Sequence, residues 1–218
     1  MAHYEALKAR HRAERGNWPN NLSLRVHRAL SWLKRAEQCD DNDGRFIFLW
    51  VTFNAAYAQE LSKFSHGREH EKSHAFIDKL VALDGDKKLY QLVWDEFSTS
   101  IRILLANRYV FGPFWDYQQG HKTETQWQEA FRAANHSANH ALAAGDAGKA
   151  LGLILSRLYT LRNQLVHGGA TWDSDINRDQ LRDCTAFLGK LVPVVIELMM
   201  DNPDTLWGDP AYPVVEAQ

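Results

Sequence analysis

Apolar residues recur three and four positions apart through most of this chain, and short polar clusters divide one such run from the next. That period puts the apolar positions on one face of a helix, while the strict alternation that marks a half-buried strand is scarce. Asn21 or Ser23 caps a predicted helix running to about Gln38 through Leu24, Ala29, Leu30 and Leu33, and Asp40 to Gly44 makes a polar turn after it. The next run, Arg45 to about Lys63, is so rich in aromatic residues that it reads as a helix buried on most of its circumference. Glu69 to Leu83 places Phe76, Ile77, Leu80 and Leu83 on one face before Asp84-Gly85-Asp86 breaks the pattern. Lys87 to about Tyr109 is predicted as one amphipathic helix through Leu89, Leu92, Val93, Phe97, Ile101, Leu104 and Leu105. Gly112-Pro113 opens an aromatic loop, Phe114 to Tyr117, and Glu124 to Ala143 is a polar helix. Asp146 caps a helix whose Leu151, Ile154, Leu158, Leu161 and Leu165 keep the helical period, and Asp173 to Arg178 leads into a last helix to about Met200. Pro203, Pro210 and Pro213 mark a loose tail. The expected architecture is an all-α bundle with short loops: a basic segment over 1–21, a helical domain over 22–201 and a tail over 202–218.

Composition narrows this further. With 218 residues, 45% of them hydrophobic, the chain is long enough to bury a core of its own as one domain. Cys39 and Cys184 are too few for a disulfide framework, and the first residues carry charges where a secretory signal needs an apolar run, so a cytoplasmic protein is expected. The longest apolar runs, Phe46 to Val51 and Leu191 to Met200, are too short to span a bilayer, and Pro193 and Glu197 interrupt the second. A formal net charge of −2 argues against nucleic-acid binding by bulk electrostatics. The charge is unevenly spread, however. Lys8, Arg10, Arg12, Arg15, Arg25, Arg28, Lys34 and Arg35 face only Glu5 and Glu14 within the first 35 residues. This front reads either as a solvated amphipathic helix or as a contact for RNA backbone.

The chemistry that changes the picture lies near the end of the penultimate predicted helix, where Arg162-Asn163-Gln164-Leu165-Val166-His167 stops at Gly168-Gly169. A guanidinium can hold a phosphate through two parallel charge-assisted hydrogen bonds. A histidine titrates near neutral pH and can move the proton of an attacking hydroxyl. The spacing alone is unspecific, since Arg68 and His74 also satisfy it. The plain structural alternative is that Arg162 and His167 complement the helix dipole while Gly168 supplies a left-handed cap.

The stretch at 162 resembles the Arg-polar-x-x-x-His motif of the HEPN superfamily, all-α proteins that include many metal-independent ribonucleases of toxin–antitoxin and phage-defence systems. Arg25 to Leu33 followed by Phe46 to Tyr57 looks like the first helical hairpin of bacterial HEPN proteins, and the likeness extends over residues 22 to 201. The resemblance implies a HEPN-like helical bundle with additional helices. It further implies catalytic roles for Arg162, Asn163 and His167, RNA contacts from Tyr159 and Arg157, and no cofactor or metal. Its expected partners are an RNA substrate, a second copy of the chain and a cognate antitoxin protein.

On an ideal helix Arg162 and His167 lie about 140° apart. Two devices close that gap: unwinding at Gly168-Gly169 that turns His167 inward, or a two-fold dimer with a composite site. The implied reaction is transesterification, with His167 as general base or acid, Arg162 stabilising charge on the phosphorane-like transition state and Asn163 orienting the phosphate or imidazole. Two other classes stand beside it. One is a non-catalytic interaction or nucleotide-binding module, to which the eight tryptophans lend aromatic surface. The other is a zinc metalloprotease, because His70-Glu71-Lys72-Ser73-His74 spells the zincin pattern and His66, His136 and His140 add further pairs; its polar flanks and missing third ligand count against it.

Overall fold

The computed structural model describes residues 3–57, 67–175, 178–210 and 212, with the side chains of 67–74 excepted. Ten α-helices and no strand occur among the described residues. They are α1 (Tyr4–Glu14), α2 (Asn20–Glu37), α3 (Asn42–Tyr57), α4 (Gly67–Leu83), α5 (Lys88–Gln91), α6 (Ser98–Ala106), α7 (Gly112–Gln118), α8 (Glu124–Ala144), α9 (Ala147–Val166) and α10 (Arg178–Asp201). Their order and bounds follow the apolar period closely for α2, α4, α8, α9 and α10.

The centre is the α2–α3 hairpin with α10 laid along α3 and α9 against α3 and α4. Leu22, Leu30 and Leu33 from α2, Phe46 and Phe53 from α3, Ile154 and Leu158 from α9, and Leu188 and Ile196 from α10 are almost wholly excluded from solvent. Each such side chain contributes about 1.5–3 kcal/mol through burial. Gly148 permits the close approach of α4 to α9, since a Cβ there would meet Asp78 Oδ1 at 2.9 Å.

Four regions depart from the expectation. The predicted helix over 87–109 is divided into α5, a π turn over Leu92–Glu96, α6 and a 3₁₀ turn over Arg108–Val110. The apolar spacing is compatible with one continuous helix; the break accompanies tertiary contacts, with Trp94 stacked on Tyr90 at 4.4 Å and donating to Leu142 O, and Phe97 edge-on to Phe187. The aromatic loop at 114 is instead the short helix α7. Phe114 and Trp127 of α8 pack there with Phe111 in a small satellite core, and the Pro113 ring sits where a helix start tolerates it. The basic N-terminal segment is helical and docked: Leu7 and Trp18 belong to the main core.

The tail is not loose over 202–210. Trp207 is buried, its indole N–H donates to Asn202 O and its ring lies 6.0 Å from Phe76, while Arg25 Nη2 donates to Asp209 O at 3.0 Å. Pro203 and Pro210 marked the absence of helix correctly and said nothing about docking, which one tryptophan and one buried arginine decide.

Candidate functional site

α9 is built for a defined start and stop. Asp146 accepts the Lys149 backbone N–H at 3.0 Å as N-cap. At the other end Gly168 takes a left-handed φ of 72°, and the Ala170 N–H returns to Gln164 O at 3.1 Å, closing a turn of the kind that satisfies last-turn carbonyls. His167 still belongs to the helical progression, because its backbone N–H donates to Asn163 O at 3.0 Å. The chain therefore turns away only after His167, and unwinding at the glycines does not swing the histidine inward.

Tyr159, Arg162, Asn163 and Val166 fall within a sector of about 100° by the helical period. Leu151, Ile154, Leu158 and Leu161 occupy the buried side. On the open sector Tyr159 is 40% and Val166 47% exposed, His167 is exposed, and Arg162 and Asn163 are half-buried. Arg162 Nη1 donates to Asn163 Oδ1 at 2.8 Å, and its guanidinium sits 6.0 Å from the Tyr159 ring, which in turn lies 6.1 Å from Trp50. Among the described residues no carboxylate forms an ion pair with Arg162. Arg162, Asn163 and Tyr159 are thus brought together, whereas Arg162 and His167 make no hydrogen bond to each other and remain on separate sides of the helix end.

Arg157 is placed elsewhere. It is buried, its guanidinium lies 4.3 Å over the Phe111 ring and 5.9 Å from Phe131, and Nη2 donates to Leu105 O at 3.3 Å. Burial lowers its pKa to about 10. Aromatic faces of the satellite core thus cover the residue expected to contact RNA, and a phosphate cannot reach it in this conformation.

Beside the motif turn opens a cavity of about 520 Å³, whose lining includes Tyr109, Trp115, Gln164, Gly169, Asp43 and Arg178. Gln164 Nε2 and Trp115 Nε1 both donate to Tyr109 O, at 2.6 and 2.8 Å, so α7 and the 3₁₀ turn are tied to the last turn of α9. On the far wall Arg178 grips the buried Asp43 carboxylate at 2.5 and 3.2 Å and also bonds Ser174 O. That hydrogen bond to Asp43 raises the Arg178 pKa. Gln164 and Gly169 belong to the motif stretch, but the Asp43–Arg178 pair was not singled out from sequence. Asp43 and Arg178 are 135 positions apart, and only the aromatic cluster at 114–117 left a local trace.

The zincin pattern lies on α4, but the side chains of His70, Glu71 and His74 fall outside the described residues, as does His66. His136 and His140 are exposed on α8, and among the described residues no three potential ligands converge on one metal position. No described helix is long and apolar enough to cross a membrane, and Cys39 and Cys184 are free thiols.

No protein-family model matches the chain, and no curated protein or solved structure shows significant similarity to it.

Proposed function

We propose that the protein is a HEPN-like, metal-independent endoribonuclease of toxin–antitoxin or phage-defence type that acts as a homodimer. The observation that carries this reading is the open sector of α9, where an arginine without a carboxylate partner among the described residues, its bonded carboxamide and an exposed tyrosine and valine share a surface that ends at His167. An uncompensated guanidinium is a ready phosphate ligand. Exposed apolar side chains around it suit a surface that a second copy covers. A two-fold axis near this sector supplies what one chain lacks, because the His167 of one copy then faces the Arg162 of the other.

In the reaction an imidazole removes the proton of the ribose 2′-hydroxyl, whose oxygen attacks the adjacent phosphorus. Arg162 neutralises charge on the phosphorane-like transition state, and Asn163 fixes the guanidinium that meets it. The P–O5′ bond breaks, and the 5′-oxygen takes a proton from an imidazolium. The products are a 2′,3′-cyclic phosphate and a 5′-hydroxyl, and DNA, without the 2′-hydroxyl, is not cut. Tyr109 and Trp115 beside the motif turn offer faces on which an unpaired base can stack. An antitoxin, in this reading, acts by covering the same sector.

The test is RNA cleavage by metal-free protein in EDTA with analysis of the product ends, run beside light scattering. Cleavage to cyclic-phosphate ends by a dimer, with Val166→Glu yielding a folded, inactive monomer, supports the composite site. A strictly monomeric protein that cleaves no RNA returns the chain to the non-catalytic interaction module, the reading favoured by the separation of Arg162 and His167 within one copy.

A further inference from the structure

A second gathering of cations lies far from α9 in sequence. Lys8, His11 and Arg12 follow one face of α1 at the spacings that make neighbours on a helix, Arg15 continues it in the 3₁₀ turn that follows, and His27 of α2 stands opposite with Arg28 next to it in the chain. Lys8 Nζ is 3.3 Å from His27 Nδ1, and the His11 and His27 rings are 6.0 Å apart. Between them opens a cleft of about 540 Å³ lined by His11, Arg15, Asn20, Ser23, His27 and Asp209, a volume within the range of roughly 300–1,000 Å³ typical of small-molecule sites.

The charge in this cleft is not balanced. Glu14 and Asp201 are both engaged by Arg10, at 2.9 and 2.7 Å, and among the described residues Lys8, Arg12 and Arg15 ion-pair with no carboxylate. Asp209 is the acid on the cleft wall, and its charge acts on the buried Arg25. The repulsion registers in the groups themselves. Lys8 is lowered by burial, then by Arg12 and Arg15. His27 is lowered by burial, then by Lys8, Arg15 and Arg28. His11 is lowered by burial, against a hydrogen bond to Ser23 O, and further by Lys8, Arg15 and His27. His11 is also fully buried with Nε2 on Ser23 O at 3.3 Å, which leaves Nδ1 without a hydrogen-bond partner. Cations from two helices that repel one another around a concave surface are relieved by one compact anion carrying several acceptor oxygens.

We propose that this cleft binds a phosphate group carried by a nucleotide-sized ligand, with Arg15 and His27 of the cleft wall holding the phosphate, Lys8 reaching it from its place beside His27, and Asn20 and Ser23 lining the remaining space. A phosphate monoester brings about −1.5 to −2 charge and three strong acceptors, which matches donors arriving from several directions better than a planar carboxylate does. The site is separate from α9 and its binding test involves no RNA cleavage, so its fate does not depend on the ribonuclease reading.

The experiment is titration calorimetry of the full chain with inorganic phosphate, adenosine 5′-monophosphate, adenosine and a short oligouridylate, beside proton NMR of the histidine ring signals. The expected result is that adenosine 5′-monophosphate binds more tightly than inorganic phosphate, adenosine fails to bind, and the Lys8→Gln/Arg15→Gln double variant, with an unchanged melting curve, binds at least tenfold more weakly. Bound phosphate should raise the apparent pKa of His27 and shift its ring signals, and His27→Gln should weaken binding on its own. Oligouridylate binding more tightly than the mononucleotide assigns the phosphate to an RNA backbone, and the reverse order assigns it to a free nucleotide. Absence of binding by all three phosphate probes at millimolar concentration, or undiminished binding by the folded double variant, overturns the proposal.

Discussion

The end of α9 and the cleft between α1 and α2 are made from the same residue types, arginine and histidine, and hold them in opposite ways. On α9 the cation is half-open, bonded to its neighbour Asn163, and tied to no carboxylate among the described residues. Nothing in the core depends on it. At the amino-terminal end, His11 and Arg25 are fully buried and Lys8 and His27 stand in each other's field. Arg25 donates to Ala56 O at 3.1 Å and to Asp209 O at 3.0 Å, joining α2, α3 and the docked tail, and burial lowers its pKa to about 10. The lesson is that burial decides whether a positive side chain supports the fold or remains available for chemistry. An exposed guanidinium can be lost at little structural cost, whereas a buried one leaves its carbonyl partners stranded.

The sharpest way to break the comparison is at α9. Arg162→Ala and His167→Ala should each lower RNA cleavage by about 10²–10⁴-fold, the size expected for an electrostatic stabiliser or acid–base group. Thermal unfolding should move little, because surface substitutions usually stay within about 0.5 kcal/mol. Arg162→Lys should restore little of the rate, since a point charge does not reproduce the planar fork. Variants that unfold instead would place these residues among the structural ones.

Arg25→Ala should show the opposite profile. Its removal strands two carbonyls and opens a cavity, so urea unfolding should report a loss of about 3 kcal/mol. A midpoint unchanged from the parent protein would mean that the tail is not held through Arg25.

Acid should act more gently and on the same end of the molecule. His11 and His27 have folded pKa values lowered from 6.5, so below that pH the unfolded chain takes up protons that the folded chain resists. Their contribution is therefore fully present above pH 6.5 and declines as the pH falls from there through the folded values. Urea midpoints recorded between pH 8 and 5 should fall with acidification, and less steeply in His27→Gln; equal slopes in the two proteins would remove His27 from the account.

The smallest effect is expected at Arg157. Its guanidinium rests on Phe111 and Phe131 with one long bond to Leu105 O, and its Nε has no hydrogen-bond partner. A buried charge so thinly compensated can be replaced by an apolar chain of similar volume with little loss or some gain. Arg157→Met should change stability by no more than about 1 kcal/mol and leave RNA cleavage untouched. A drop in cleavage or RNA affinity would return Arg157 to the RNA-contacting set.

Arg157 and Arg162 also show where reading the chain stops. The period of Leu151, Ile154, Leu158 and Leu161, the Asp146 cap and the Gly168 stop fixed the helix, its buried side and its end, because each is a local backbone or spacing effect. Those rules give an angle about the helix axis. They do not say which other segment will lie across that angle. Phe111 and Phe131 arrive over Arg157 from the turn before α7 and from α8, and nothing comparable covers Arg162 among the described residues. The Asp43–Arg178 pair behind the motif-side cavity likewise joins positions that no local pattern relates.

By itself the sequence determined α2, α4, α8, α9 and α10 with most of their boundaries, the apolar faces that make the core and the place where arginine, asparagine and histidine meet a helix end. Hydrogen-bonded helical period and chain-reversing glycines act within a few residues and are written into neighbouring positions. Only the tertiary structure decided that the helix over 87–109 breaks into a π turn, that the tail docks through Trp207, and that His11, Arg15, His27 and Asp209 surround one cleft. Each of these outcomes follows from packing between segments distant along the chain, where burial and mutual charge, rather than local propensity, set the free energy.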